Sequence, residues 1–431
     1  MLKKLLELLP RVFLSLAFCC SYAEQYTLQD LGTLGGVAST GEAINNQGQV
    51  TGITTTANGT GAAFLHTSGK MIGLGTIPGG NFSEGTSINS AGVVAGSSGT
   101  LDVSIHAAIF SGGQVIDLGT LGGTNSDGNG INASGQIAGY SEIPGDSHFR
   151  HAFLYTPGIG LQDIGTLGGP ESVAQGINDS GAVVGYSGLP VISPSPLAFL
   201  YSNGTLTNLG TLPTGGNVIP LSLATAINAH GLITGYSSAG DRGYRHAFSY
   251  SQSVGMADLG TLGGSESFGS AINSSGQIVG KSDTISAGQH GFLFNPGGAA
   301  SIDLNTLVAG SPLAAYVTLV SSGAINDDGL IVADGVDVRN GQMHAYLLTP
   351  ISALLASLKA EVAAVGPGTS LAGKVDLAQT YYAANDTAAV CAELTDFNHE
   401  VNAQTDKKIQ PDLATELTSD DATIQAALGC P

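Results

Sequence analysis

Short apolar runs recur between residues 26 and 350, each bounded by Gly, Asn, Asp or Ser. Ile137-Ala-Gly-Tyr140, Ala182-Val-Val-Gly-Tyr186 and Ile233-Thr-Gly-Tyr236 are typical. Runs this short, partly β-branched and flanked by turn formers, predict strands rather than helices. Ile-Asn followed by two residues and Gly marks their repetition, at Ile44, Ile88, Ile131, Ile177, Ile227, Ile272 and Ile325. The period is about 45 residues, one supersecondary unit.

Each unit reads as four strands. The first ends at Ile-Asn, and an Asn-x-x-Gly turn follows, as in Asn132–Gly135 and Asn178–Gly181. Asn tolerates turn geometry and Gly supplies positive φ. The second strand is apolar, and a variable polar loop comes after it. The third is His-Ala-Phe-Leu-Tyr, and the fourth begins Asp-Leu-Gly-Thr-Leu before a Gly-Gly crossover. The residue before each Ile-Asn is small: Ala43, Ser87, Gly130, Gly176, Ala226, Ala271 and Ala324. Small residues suit a strand near a crowded axis. Seven four-stranded units predict a seven-bladed β-propeller over 26–350, with a β-solenoid as the alternative. Tyr26–Leu31 reads as a fourth strand and Met343–Leu348 as a third. The N-terminal strand is therefore expected to complete the last blade and remove an open edge.

Pairing strands three and four around Gly158 sets Tyr155 opposite Leu161, Phe153 opposite Asp163 and His151 opposite Gly165. His151 and Asp163 then share a face. Matching pairs are His106/Asp117, His246/Asp258, His290/Asp303 and, across the closure, His344/Asp30. Two units lack both partners, with Ala62/Gly73 and Leu197/Asn208 instead. Partners kept or lost together imply contact. The pairs read as structural fasteners worth ~1.5–3 kcal/mol each if half-buried. No catalytic, metal-binding or cofactor-binding residue is assigned.

The loops before each histidine vary most: Glu142–Arg150, Gly188–Pro196, Ser238–Arg245, Asp283–Gln289 and Asp337–Met343. They share a rim with the crossovers. Variable loops on a rigid scaffold are where recognition resides. Asp146, Arg150, Asp241, Arg242, Tyr244 and Arg245 are the candidate partner-binding residues; local Asp–Arg pairing is the plainer account of them. A funnel lined by Gly, Ala and Ser would argue against an enzyme, and clustered carboxylates there would favour one.

Composition narrows the function. The chain has 431 residues, 64 glycines, no tryptophan and a formal net charge of −20. Phosphate backbones need clustered Lys and Arg, so nucleic acid is excluded, while weak cation association is expected. Without tryptophan, tyrosine would serve as any sugar platform. There is no His-Glu-x-x-His, phosphate loop or nucleophile elbow. Lys3, Lys4 and Arg11, the apolar run Val12–Cys20 and Ser21-Tyr22-Ala23 read as a signal peptide over 1–23. The run is short for a membrane span. Bulky Phe18 before Cys19 weakens a lipoprotein reading. Secreted, periplasmic or cell-surface location is expected, and a monomer.

After Pro350 glycine thins and alanine rises. Leu354, Leu355, Leu358, Val362 and Val365 follow helical spacing, as do Val390, Leu394, Phe397 and Val401, and Leu413, Leu417, Ile424 and Leu428. Residues 351–431 are read as a bundle of three or four helices. Cys391 and Cys430 suit one disulfide in an oxidising compartment. His399 is read as a surface or cap residue.

The Asp-Leu-Gly-Thr-Leu-Gly-Gly, Ile-Asn-x-x-Gly-Gln-Ile-x-Gly and His-Ala-Phe-Leu-Tyr segments resemble the HAF family of extracellular repeat proteins, over roughly 26–350. Leu394–Gln404 resembles, more weakly, the FIMAH-like helical module of some exported repeat proteins. The resemblance implies export and an interaction or attachment role, and carries over no catalytic residue. The expected function is an exported non-enzymatic protein binding a protein or glycan through its loop-rich rim. The alternatives are an extracellular glycan hydrolase or lyase on a propeller scaffold, and a structural cell-envelope protein.

Overall fold

The computed structural model describes residues 24–190, 195–286, 288–363, 365 and 370–431. The expected signal peptide lies outside them. Seven four-stranded antiparallel sheets form a β-propeller. The third blade is typical: Ser126–Ile131, Ile137–Ile143, Asp146–Thr156 and Gly160–Gly165, from axis to edge. The last blade contains Val317–Ile325, Ile331–Asp337, Gln342–Pro350 and Tyr26–Asp30. Tyr26 pairs with Pro350 and Asp30 with Tyr346, so the N-terminal strand closes the ring.

Axial packing explains the Ile-Asn motif more fully than a turn does. Each of these asparagines is buried. Its Oδ1 accepts backbone N–H groups of its own turn; Asn178, for example, takes Ser180 and Ala182. Its Nδ2 donates to the main-chain carbonyl of the next blade's asparagine. The bonds run Asn45 to Asn89, Asn89 to Asn132, Asn132 to Asn178 and Asn178 to Asn228. They continue Asn228 to Asn273, Asn273 to Asn326 and Asn326 to Asn45, at 2.9–3.2 Å. This is a closed ring.

Buried serines tie neighbouring blades together. The Ser172 hydroxyl donates to the Gly165 carbonyl at 2.6 Å and accepts the Ala152 N–H at 2.8 Å. Ser126 and Ser267 repeat this with Gly119/Ala107 and Gly260/Ala247. Second-strand serines hold the crossovers: Ser141 accepts the Leu121 N–H and Ser187 the Leu167 N–H. The first strand of every blade carries a bulge. It presses a first-strand carbonyl towards the glycine of the second strand. A Cβ on Gly185 would lie 2.0 Å from the Val173 oxygen, and Gly139, Gly235 and Gly280 are equally confined. Glycine is required there by space.

The seventh unit departs from the pattern at Asn305. A helical turn, Leu304–Leu307, replaces the glycine crossover. Asp303 caps this turn by accepting the Asn305 N–H, and the Asn305 side chain bridges to the Leu319 N–H and C=O.

Four helices follow: Ile351–Val362, Ser370–Ala383, Thr387–Gln404 and Pro411–Leu428. Leu355, Leu358, Val375, Leu394, Phe397, Leu417 and Ile424 form one core. Ser370–Ala383 had no stripe in the sequence reading, because its apolar face is mostly alanine-sized and tyrosine. Cys391 and Cys430 are joined as a disulfide. His399 is exposed. The bundle touches the closure strand's start, where the Tyr382 hydroxyl donates to Glu24 at 2.9 Å. No described helix is long and apolar enough to cross a membrane.

Substituting Asn178→Ala removes its turn bonds and strands the Asn228 carbonyl. We expect a loss of about 2–4 kcal/mol, read by chemical denaturation.

Candidate functional site

The five His–Asp pairs lie on the outer hairpins. His Nδ1 meets the carboxylate at 2.9 Å in His106–Asp117, 2.7 Å in His151–Asp163 and 2.9 Å in His246–Asp258. His290–Asp303 lies at 2.7 Å and His344–Asp30 at 2.9 Å. Two expectations need correction. His151 does not face Gly165; Ala152 does, because a bulge at Ile164 shifts the register. Gly165 is demanded by its φ of +82°, with only Leu206 near a built Cβ. Nor are the pairs well buried. Asp163 is 42% exposed and Asp258 43%, so these two pairs are worth about 0.2–1 kcal/mol, below the expected range, whereas His290 and Asp303 are only 24% and 23% exposed.

The carboxylate has a second task that the sequence reading missed. Its Oδ1 accepts the N–H two residues on: Gly32 from Asp30, Gly119 from Asp117, Gly165 from Asp163 and Gly260 from Asp258. Asn208, in a blade without the histidine, does the same for Gly210. This Asx turn starts the crossover. The hydrogen bond His246 donates to Asp258 raises the His246 pKa. Burial opposes ionisation of Asp258, but hydrogen bonds from His246 and the Gly260 N–H lower its pKa. Among the described residues no group of three His, Cys, Asp or Glu is placed to hold a metal ion.

The rim opposite the Asn turns carries a different assembly. Two expected loops are largely strand. Asp146 already sits opposite Ile143, and Ser238 pairs with Arg245 and Ala239 with Tyr244. The hairpins extend because paired backbone groups need no solvent. Asp241, Arg242 and Tyr244 are exposed at the tip of one of them. Arg150 and Arg245 both find glutamate partners. Each reaches the next blade: Arg150 Nε lies 3.8 Å from Glu171, and Arg245 Nε lies 3.0 Å from Glu266. The two clamps occupy matching positions.

Aromatic groups adjoin them. The Arg150 guanidinium stands 4.9 Å from the Tyr140 ring centre and donates to the Tyr186 hydroxyl at 3.4 Å. Arg245 lies 5.3 Å from the Phe268 ring, which meets Tyr236 edge-on at 4.9 Å. Tyr140, Tyr186 and Tyr236 are the same second-strand position in three consecutive blades, so they form a ledge. Burial raises all three phenol pKa values. The repeated Gly-Tyr signal was visible in the sequence, but its convergence with Arg150 was not.

Beside the ledge is a pocket of about 450 Å³ between the second and third blades. Phe82, Glu84, Asp127, Tyr140, Glu142 and Arg150 help line it. Asp127 Oδ1 is buried without a hydrogen-bond partner among the described residues. Burial, then the nearby Glu84 charge, push the Asp127 carboxyl up to about 7. Burial also raises Glu84. Further round, Glu42 is pushed up to about 7 by burial and then by Asp334 and Glu84. Burial lifts Asp334 to about 6 against its bonds from the Gly41 N–H and Ser321 hydroxyl. The axial positions before Ile-Asn are small, yet one side of the inner strands carries carboxyls.

Residues 169–346 match a family described as "Protein of unknown function (DUF3466)". No curated protein matches the chain. Among solved structures, the chain is similar to TolB from Acinetobacter baumannii, with 8% identity and a TM-score of 0.39, covering 70% of this chain and 63% of that one. A putative TolB from Agrobacterium tumefaciens shares 14% identity with a TM-score of 0.41, over 65% and 94% of the two chains. XC5397 from Xanthomonas campestris, a gluconolactonase, shares 12% with a TM-score of 0.37, over 75% and 90%. The chain thus spans under two thirds of the Acinetobacter protein.

In a double-mutant cycle, His151→Ala and Asp163→Ala should couple by ~0.2–1 kcal/mol. Asp163→Ala alone should cost more, because it also frees the Gly165 N–H. Stability should also depend on pH. Asp127, Glu42 and Asp334 have folded values above their unfolded ones, so the native state holds extra protons between about 4 and 7. Stability should fall as pH rises through that window. The raised His246 acts in the same sense: its contribution is full below 6.5 and is lost as pH rises through the folded value. Thermal melts should therefore run higher at about pH 5 than at about pH 8. Asp127→Asn should flatten that slope and stabilise at pH 8 by about 1–3 kcal/mol.

Proposed function

We propose that this protein is an exported, non-enzymatic binding protein whose loop-rich rim takes a glycan or protein partner. The observation that carries the reading is the rim assembly of Tyr140, Arg150, Tyr186 and Tyr236 beside an open pocket. Tyrosine and arginine bring large contact area with polar tips, and such residues dominate binding energy at interfaces. Stacked rings suit sugar faces. Exposed Asp241, Arg242 and Tyr244 extend the surface. The disulfide supports an oxidising compartment. The HAF-like repeats and the FIMAH-like segment fit export, with the helical bundle presenting or anchoring the propeller. The chain works as a monomer, and its acidic surface attracts cations weakly.

One observation favours a second reading, a glycan hydrolase or lyase. Burial, then the Glu84 charge, lift the Asp127 carboxyl to about 7, so part of it is protonated at neutral pH. A protonated carboxyl next to a second carboxyl is the pairing used for glycoside cleavage.

The chain lacking residues 1–23 should retain glycans or surface proteins on an array. Arg150→Ala with Tyr186→Ala should weaken retention roughly tenfold or more. An array that retains nothing would overturn the binding reading. Release of reducing sugar from an array hit, abolished by Asp127→Asn, would establish the enzymatic one.

A further inference from the structure

We propose that the outer closure of the ring is redox-locked. The Cys391–Cys430 disulfide holds the helix Pro411–Leu428 as a strap over the closing strand Tyr26–Asp30, and its reduction frees that strand. This lock is independent of what the rim binds. Six blades take four consecutive strands, and the seventh takes its outer strand from the other end of the propeller sequence. Thr27 and Thr349, bonded across that seam, are 322 residues apart. Five paired residues therefore carry the loop-closure entropy of the whole ring. The strand pairs with Gln342–Pro350 on one side, and its other edge carries no strand among the described residues.

The helices hold that strand in place. Pro411–Leu428 and the 3-10 turn Pro312–Ala315 pack against it. Just before it, Glu24 Oε1 accepts the Ser352 N–H at 3.0 Å and the Tyr382 hydroxyl at 2.9 Å. The Gln25 carbonyl accepts the Ile351 N–H at 2.9 Å. The far end of the strap presses on the connection into the seventh blade. A Cβ on Gly310 would collide with the Ala427 carbonyl oxygen, so the contact is backbone to backbone.

The strap docks against its own charges. It carries Asp412, Glu416, Asp420 and Asp421, and no Lys or Arg. Asp421 is fully buried; Asn398 and Gln425 donate to one oxygen, and the other has no partner among the described residues. Glu361, on Ile351–Val362, faces the strap, and its carboxyl is raised by burial and then by the charges of Asp420 and Glu416. Lys359 and Lys374 give no relief, because Asp376 and Glu400 engage them. Leu417 and Ile424 supply apolar attraction, and the disulfide adds a covalent hold. It ties Cys391, in Thr387–Gln404, to Cys430, just past the strap, across 39 residues of sequence. A cross-link over such a span disfavours parting by about a hundredfold or more. Reduction removes it. One thiolate of a dithiol reductant attacks the partly exposed Cys430 sulfur and expels the buried Cys391 as thiolate. The second thiol then displaces Cys430. Two electrons and two protons pass to the cysteines, and the reductant leaves as a disulfide.

Hydrogen exchange read by mass spectrometry tests this on the oxidised protein and on the same protein held in dithiothreitol. On reduction, the amides of 26–31 should exchange about tenfold or more faster, together with those of 411–428. The fourth-blade strands Ser172–Ile177 and Val183–Ser187 should keep their rates. Cys430→Ser should reproduce the effect without reductant and be insensitive to it. Gly310→Ala, with the disulfide intact, should also speed exchange of 26–31, because it pushes the strap's end away from the seventh blade. Reduction starts from the folded protein, so it decides the matter even where a cysteine variant fails to fold. Unchanged exchange of 26–31 on reduction would overturn the proposal, even if 411–428 opens. Equal acceleration in every blade would overturn it too, since that is loss of the whole fold and not release of a strap.

Discussion

Seven buried asparagine amides, each handed to the next blade's main chain, hold the axis of this propeller. One side chain does two jobs. Its oxygen shapes a turn inside its own blade, and its amide bonds the neighbour. A polar group at a buried axis is costly unless every atom is matched. Here the match exists only when all seven blades are present and the last meets the first. Closure is thus a condition for satisfying the axis. The N-terminal strand beside Gln342–Pro350 supplies the same condition at the outer edge.

The outer fasteners stand in a different energetic class. The His–Asp pairs repeat faithfully but lie near solvent, where charge attraction is screened. Their carboxylates matter at least as much as acceptors for the backbone that starts each crossover. The buried serines between blades, by contrast, satisfy carbonyl and amide groups removed from water. Repetition in sequence therefore does not rank interactions by strength; burial does.

Departures from the repeat concentrate where the scaffold is free to vary. The second-strand position that faces the next blade holds Ser97, Tyr140, Tyr186, Tyr236, Lys281 and Asp334 in different blades. Partners change with it: Asp127 meets Ser97, Phe268 meets Tyr236, and Gly41 meets Asp334. One uniform ring so acquires an acidic side and an aromatic, arginine-bearing side. The candidate site lies where the two meet.

Periodicity alone determined the strand count, the seven units, the circular closure and the outer His–Asp contacts. All of these follow from local rules of turn chemistry and alternation, copied seven times, so each copy checks the others. The helical stripes were legible from their 3.6-residue spacing, and the cysteine pair from its even count. Only the tertiary structure decided the rest. The bulge at Ile164 moved His151 off Gly165, because a bulge depends on the partner strand. The bond from Asn178 to Asn228 and the reach of Arg150 to Glu171 cross from one blade to the next, and the confinement of Gly185 comes from Val173 on the neighbouring strand of its own blade. Such contacts join residues well separated in the chain, where no local pattern records who faces whom. Asp127 shows this most clearly: in sequence it is one acid in an inner strand, and packing leaves one of its carboxyl oxygens buried without a partner among the described residues.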